Sequence, residues 1–359
     1  MKRRQARTRS RRRQRFCPTI GDSMSSLERV RRRLRGEEVD RAPNFDIYMT
    51  RAAHYVGRPL SEYYLDYRAL VEANLAVCAD FDLDIVQTLS DPYREAADMG
   101  LEVEFPEDDL PVRKKVLLET PEDLAKLRRV AADDGRRMSD RLDAVRTLVE
   151  RVGHEVVVMG WVEGALALAC DVRGDTHLMT DLFDRPEWVD ELLELLVEQQ
   201  IAFAREQVAL GATMIGLGDA IASLVSPKQY RRFALPYEQR IFAAVKEAGA
   251  IPRLHICGDT NHLVPDMAQS GAEIVDLDWM VDLGKAAETF GDDGPAPCGN
   301  FDPVEIMLRG TPETVAAATR ACKAAGGPRH FSAAGCEIPD DTPEANMQAH
   351  ATTLHEIGG

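Results

Sequence analysis

The chain has no run of about 18 apolar residues, so nothing in it predicts a transmembrane helix. An apolar stretch of the kind found in secretory leaders does not follow its basic N-terminus, so no signal peptide is expected and the chain reads as cytoplasmic. Cysteine is sparse for the length: seven residues, an odd number, scattered from Cys17 to Cys336. That excludes a disulfide framework and fits a reducing compartment. No Gly-x-Gly-x-x-Gly or Walker-type loop follows the first strand-like run, which argues against a dinucleotide or P-loop fold. Internal repeats are absent as well.

What is present is an acidic body behind a basic leader. The net charge of the 359 residues is −16, but residues 1–35 alone carry +12, which leaves −28 on the rest. An acidic body does not suit nucleic-acid binding, and no membrane surface is implied for it. Residues 1–23 read as a disordered basic tail, or as sequence upstream of initiation at Met24. Residues 24–359 are expected to form one domain, with 45% hydrophobic content overall to build a core. A homodimer is compatible with this composition.

Strand-like apolar runs recur at 43–48, 85–89, 156–160, 212–218, 251–258, 274–279, 296–300 and 329–335. Amphipathic helical stretches separate them at 60–79, 120–151, 186–210, 226–249, 260–270, 302–308 and 312–326. Eight strand–helix units in about 300 residues predict an α/β protein, a (β/α)₈ TIM barrel. The stretch 98–117 predicts a small hairpin inserted after the second strand.

In such a barrel the catalytic positions are the C-terminal ends of the strands. Those positions hold Asp46, Asp91 with Tyr93 and Glu95, Glu163, Asp219, His255 with Cys257, Asp278, Asn300, and Cys336 with Glu337. His255 and Cys257 lie two apart on a strand, so both face one side. A second sulfur from another strand end would complete a three-donor nitrogen/sulfur set, which leaves zinc one open position for chemistry. Cys336 and Cys298 compete for that place, and Cys336 ranks first because its strand is better defined. Read without the metal, the same residues are core groups beside a bend.

These residues also carry a resemblance. Ser25-Ser-Leu-Glu-Arg-Val with the following Leu-Arg-Gly36, Gly218-Asp219, Ser226-Pro-Lys-Gln-Tyr, His255-Ile-Cys257-Gly258, Gly299-Asn300-Phe-Asp-Pro303 and Ala334-Gly335-Cys336 resemble the signatures of the uroporphyrinogen decarboxylase superfamily. The likeness is to its zinc-dependent, corrinoid-linked methyltransferase branch and runs from about Ser25 to Gly359. It implies a (β/α)₈ barrel, Zn²⁺ on His255, Cys257 and Cys336, and transfer of a methyl group from methylcobalamin on a partner corrinoid protein. The acceptor it implies is coenzyme M or tetrahydrofolate, and tetrahydrofolate is the one expected here. Asp219 and Asn300 would meet a pterin ring, with Asp219 also a candidate for proton transfer. Glu163 would act as a catalytic carboxylate, either completing the zinc shell or bonding the acceptor. Asp219 read plainly is a helix cap, Glu163 a solvated loop carboxylate and Asn300 a turn residue.

True decarboxylases of the superfamily carry an Arg-Gln-Ala-Gly-Arg signature after the first strand. The corresponding stretch here is Ile47-Tyr-Met-Thr-Arg51-Ala-Ala-His-Tyr-Val-Gly57, without the arginine pair. A decarboxylase of the same fold is therefore the competing reading, and a non-catalytic corrinoid- or metal-binding barrel is a third.

Overall fold

The computed structural model describes residues 24–359; the tail expected over residues 1–23 lies outside them. Six parallel strands run side by side in chain order: β1 (Ile85–Gln87), β4 (Val157–Glu163), β5 (Met214–Gly218), β6 (Ile251–His255), β7 (Ile274–Asp276) and β8 (Ala296–Cys298). The other two, β2 (Val103–Glu104) and β3 (Val112–Arg113), form an antiparallel hairpin after β1 and the short helix Arg94–Asp98, where the sequence predicts one.

The two remaining barrel staves, over 43–48 and 329–335, are extended segments joined by isolated bridges. Phe331 N–H donates to Pro297 C=O (2.9 Å), Phe45 N–H to Ser332 C=O (2.8 Å) and Asp84 N–H to Asn44 C=O (3.1 Å). These bonds close the ring, so the fold is the expected eight-staved TIM barrel. Pro43 and Pro297 have no N–H to give the ladder, which helps to keep this seam short.

Strand parity decides what faces the lumen. Val157, Met159 and Trp161 pack inside with Met214, Ile274, Ala296, Phe331 and Phe45. Val158, Val162, Leu254 and Val275 face outward, beneath the helices. Extending the inward parity places Glu163 on β4 and Arg253 and His255 on β6 in the lumen.

Helices differ from expectation in places. The predicted helix 120–151 is a 3₁₀ turn (Pro121–Lys126) and a separate helix Arg136–Val152. Gly135 caps the second in an extended conformation, and the backbone N–H groups of Arg137 and Met138 donate to Asp98. Only Val264–Met267 of 260–270 is helical, and Pro303–Leu308 is a π-turn. Among the described residues no helix is long and apolar enough to cross a membrane.

Candidate metal centre

His255 is the last residue of β6 and its ring sits at the C-terminal mouth, 7% exposed. Its Nδ1 lies 2.9 Å from Asp276 Oδ2. Asp276 in turn accepts from Arg253 Nε at 2.8 Å. Burial pushes the Asp276 carboxyl up, but the Arg253 guanidinium and the His255 hydrogen bond outweigh it and hold its pKa at about 2. A carboxylate locked in this way fixes the imidazole with Nδ1–H toward Asp276 and Nε2 toward the mouth, the orientation a metal-binding histidine needs.

Nε2 meets two sulfurs: Cys257 Sγ at 3.0 Å and Cys336 Sγ at 3.9 Å. The sulfurs are 3.6 Å apart, too far for a disulfide. Zinc bond lengths of about 2.3 Å to sulfur and 2.0–2.1 Å to nitrogen imply tetrahedral edges of about 3.8 Å between sulfurs and about 3.6 Å from nitrogen to sulfur. The three donors therefore already stand near the corners of a zinc tetrahedron, and they are the one His/Cys/Asp/Glu group of this kind among the described residues. The hydrogen bond from Cys257 pushes the Cys336 thiol down to about 4, and donating that bond pushes Cys257 up. Burial lowers the His255 pKa, but Cys257 and Asp276 together raise it well above the ordinary value.

The loops that carry the sulfurs are tightly held. Gly258 adopts φ +95° and its N–H donates to Asp278 Oδ2 at 2.6 Å, turning the chain directly after Cys257. Gly335 lies against the Asp278–Trp279 backbone; a Cβ there would stand 2.9 Å from the Asp278 carbonyl carbon. On either side of Cys336, Ala334 N–H donates to Asp46 Oδ1 (2.8 Å) and Glu337 Oε1 accepts from Thr50 N–H (2.8 Å) and Thr50 Oγ (2.7 Å). The last stave is thus pinned to the first exactly where the third donor emerges.

The other sequence-predicted residues are distributed around this set. Glu163 is the last residue of β4, rather than a residue beyond the strand; its Oε1 accepts from Arg94 Nη2 (2.7 Å) and Trp161 Nε1 (3.1 Å). The Trp161 ring lies 6.3 Å from that of His255, centroid to centroid. Burial pushes the Glu163 carboxyl up to about 7 against the pull of Arg94, with Glu95 adding to the rise. Its oxygens are not among the three clustered donor atoms. Asp219 turns away from the lumen. Its Oδ1 accepts from Ala167 N–H (2.9 Å) in the first turn of helix Ala165–Arg173, and burial with Glu238 nearby raises its pKa. Asn300 spends both amide hydrogens on backbone carbonyls, Asp278 O (3.1 Å) and Val281 O (2.6 Å). Cys298, the rival third donor, lies deeper in the lumen, 3.9 Å from Arg253 Nη2, and burial raises its thiol pKa.

Sequence reasoning missed Asp276 and Trp161 as parts of the site, and it places Arg253 near the site with its role open. Asp276 pairs in register with His255 across the β6–β7 ladder. A carboxylate two residues before Asp278 on a lumen-facing parity was the available signal.

Known proteins share the sequence and the fold. The chain is 31% identical over 329 residues to the methylcobamide:CoM methyltransferase MtbA of Methanosarcina mazei, covering 89% of this chain and 95% of that one. A uroporphyrinogen decarboxylase of Trichormus variabilis is 27% identical over 353 residues, covering 93% and 98%. Among solved structures, a methyltransferase from Methanosarcina mazei superposes with a TM-score of 0.84 at 25% identity, covering 93% of this chain and 99% of that one. Residues 25–357 match the family described as uroporphyrinogen decarboxylase (URO-D), and the chain belongs to that family.

Proposed function

We propose that this protein is a corrinoid-dependent methyltransferase that passes the methyl group of a methylated corrinoid protein to a small thiol held at zinc. The observation that carries the reading is the donor set at the barrel mouth: one imidazole and two sulfurs at 3.0, 3.6 and 3.9 Å from one another. A decarboxylase has no use for it, and the arginine pair of the decarboxylase signature is missing here.

Zinc bound there would lower the pKa of a coordinated acceptor thiol so that it stands as a thiolate at neutral pH. His255, Cys257 and Cys336 would hold the ion and leave one corner for the acceptor. Two thiolates and a neutral imidazole cancel the metal's charge, so an added thiolate would keep its electron density and its nucleophilicity. Asp276 orients the imidazole. Glu163, at the same mouth with a carboxyl near 7, is suited to take up the proton that the thiol releases.

The relatives named methylcobamide:CoM methyltransferases favour a thiol of the coenzyme M type as acceptor. Tetrahydrofolate, the acceptor expected from sequence, finds less to hold it: Asn300 has no amide hydrogen to spare and Asp219 caps a helix.

Methyl transfer from methylcobalamin to coenzyme M, followed by loss of the cobalt–carbon absorbance, is expected with the zinc-loaded protein. Turnover with tetrahydrofolate alone would move the acceptor. No turnover with either acceptor, from free or protein-bound methylcorrinoid, would overturn the reading. Cys257→Ser and Cys336→Ser should each lose most of the bound zinc by metal analysis, and full retention in both would remove the metal centre from the proposal.

A further inference from the structure

Eight arginines are at least nine-tenths buried among the described residues, and seven of them meet a carboxylate. Arg29 and Arg41 share Asp84, for example, and Arg253 pairs with Asp276. Arg33 is the exception. It is 2% exposed, in the last turn of helix Ser26–Leu34. Its Nε donates to His330 C=O at 2.8 Å, and its Nη2 is buried with no hydrogen-bond partner. No ion pair is formed by Arg33 among the described residues. A guanidinium cannot escape by losing its proton near neutral pH, so burying it without an anion is costly.

A second cation stands beside it. Lys323, in the last turn of helix Pro312–Gly326, is half-buried and likewise forms no ion pair among the described residues. Burial brings Arg33 down to about 10, and burial with Arg33 close by brings Lys323 down to about 8. Both side chains line a 340 Å³ cavity, together with the acidic residues Glu37 and Glu38 and with Gly359, whose carboxylate lies within 4.0 Å of neither cation. Glu37 is occupied elsewhere, held by Arg35 through Oε1 (2.5 Å) and Oε2 (2.9 Å). Glu38 is exposed at the rim.

The cavity is separate from the metal centre. His330, which receives Arg33, lies at the start of the last stave and Cys336 just past its far end, so most of the length of that stave lies between them. It sits at the N-terminal end of the barrel.

We propose that this cavity is an oxyanion site, and that the Arg33 guanidinium and the Lys323 ammonium receive the phosphate group of a small molecule. Two converging cations, one with an unsatisfied donor, supply the charge-assisted bonds that a phosphate takes. The volume exceeds what bare phosphate fills and falls at the lower end of small-molecule sites. Glu38 at the rim disfavours long polyanions, so a single phosphate on a compact body fits best. The site does not depend on the methyltransferase reading.

The test uses inorganic phosphate as probe on the zinc-loaded full chain, at matched ionic strength against chloride, by calorimetry and thermal shift. The wild type should bind one phosphate per chain and melt higher with it. Lys323→Met should weaken that binding about tenfold, the value of one charge-assisted bond, while methyl transfer without phosphate stays unchanged. Arg33→Met should abolish binding; if it does not fold, Lys323→Met decides. The proposal fails if the wild type shows no saturable response beyond chloride, or if Lys323→Met binds phosphate like the wild type. A rise in melting temperature of Arg33→Met, with a wild type blind to phosphate, would identify Arg33 as a tolerated buried cation and overturn the site.

Discussion

His255 is equipped to bind a metal only because Asp276 occupies its other nitrogen, and Asp276 can do so only because Arg253 keeps it ionised. Asp276→Asn keeps the shape and removes the charge. Zinc affinity, measured by competition with a chromophoric chelator, is expected to fall about 10–100-fold. An unchanged affinity would make the carboxylate dispensable. Half of this relay was legible in the sequence. His255 ends β6 and Cys257 follows two residues later in the loop, rather than on the strand expected over 251–258, so their closeness in sequence puts them together. Asp276 lies on the next strand, and its place opposite His255 follows from ladder register, which no local pattern encodes.

At the scale of the elements, the donor set depends on two loops fitting closely. Gly335→Ala would drive a methyl group into the Asp278–Trp279 backbone and shift Cys336. The expected result is loss of bound zinc with the far-ultraviolet dichroism unchanged, and a variant that keeps stoichiometric zinc would show that the loops can give. The seam between the first and last staves is held by side chains as much as by ladder bonds. Ser332 Oγ lies 2.9 Å from His350 Nε2, and His350 Nδ1 lies 2.7 Å from Asp46 Oδ2. This has the outline of a hydrolytic triad, but all three residues are at most 1% exposed, so no substrate can reach them. It is a buried strut joining helix Glu344–Ile357 to the seam. His350→Ala strands Asp46 and should cost about 3 kcal/mol in urea unfolding. A loss under about 1 kcal/mol would show that the strut adds little beyond a surface substitution. The strand pattern revealed the staves, but the seam's short pairing depends on partners far along the chain, such as Pro43 C=O with Ser332 N–H.

Over the whole molecule, the described body keeps several carboxyls buried at raised pKa values, and this ties stability to pH. Glu238 is 1% exposed; burial pushes it up to about 7 against the hydrogen bond from Tyr230 Oη (2.6 Å). Its ordinary value is 4.5. Between 4.5 and about 7 the folded protein holds the proton that the unfolded chain has released, so stability falls as pH rises through this window. The penalty is absent below the unfolded value and complete above the folded one. Glu238→Gln cannot ionise. Its stability relative to the wild type should therefore grow across the window by on the order of 2 kcal/mol, read from denaturation midpoints at pH 5 and pH 8. A gap that stays constant with pH would assign the ionisation elsewhere.

The amino-acid sequence by itself determined the alternation of strands and helices, the barrel it implies, the hairpin after the second strand and the His255–Cys257 pair. Each is a local pattern, set by periods of two or 3.6 residues. Only the tertiary structure decided which distant sulfur joins the pair. Cys298 and Cys336 both sit near strand ends, but the stagger of the staves leaves Cys298 down the lumen beside Arg253 and lifts Cys336 to the rim. It also decided that Asn300 Nδ2 and Asp219 Oδ1 bond to the backbone, and that among the described residues Arg33 alone of the buried arginines has no carboxylate. Those facts depend on distances between segments far apart in the chain, which the packing of the whole barrel sets.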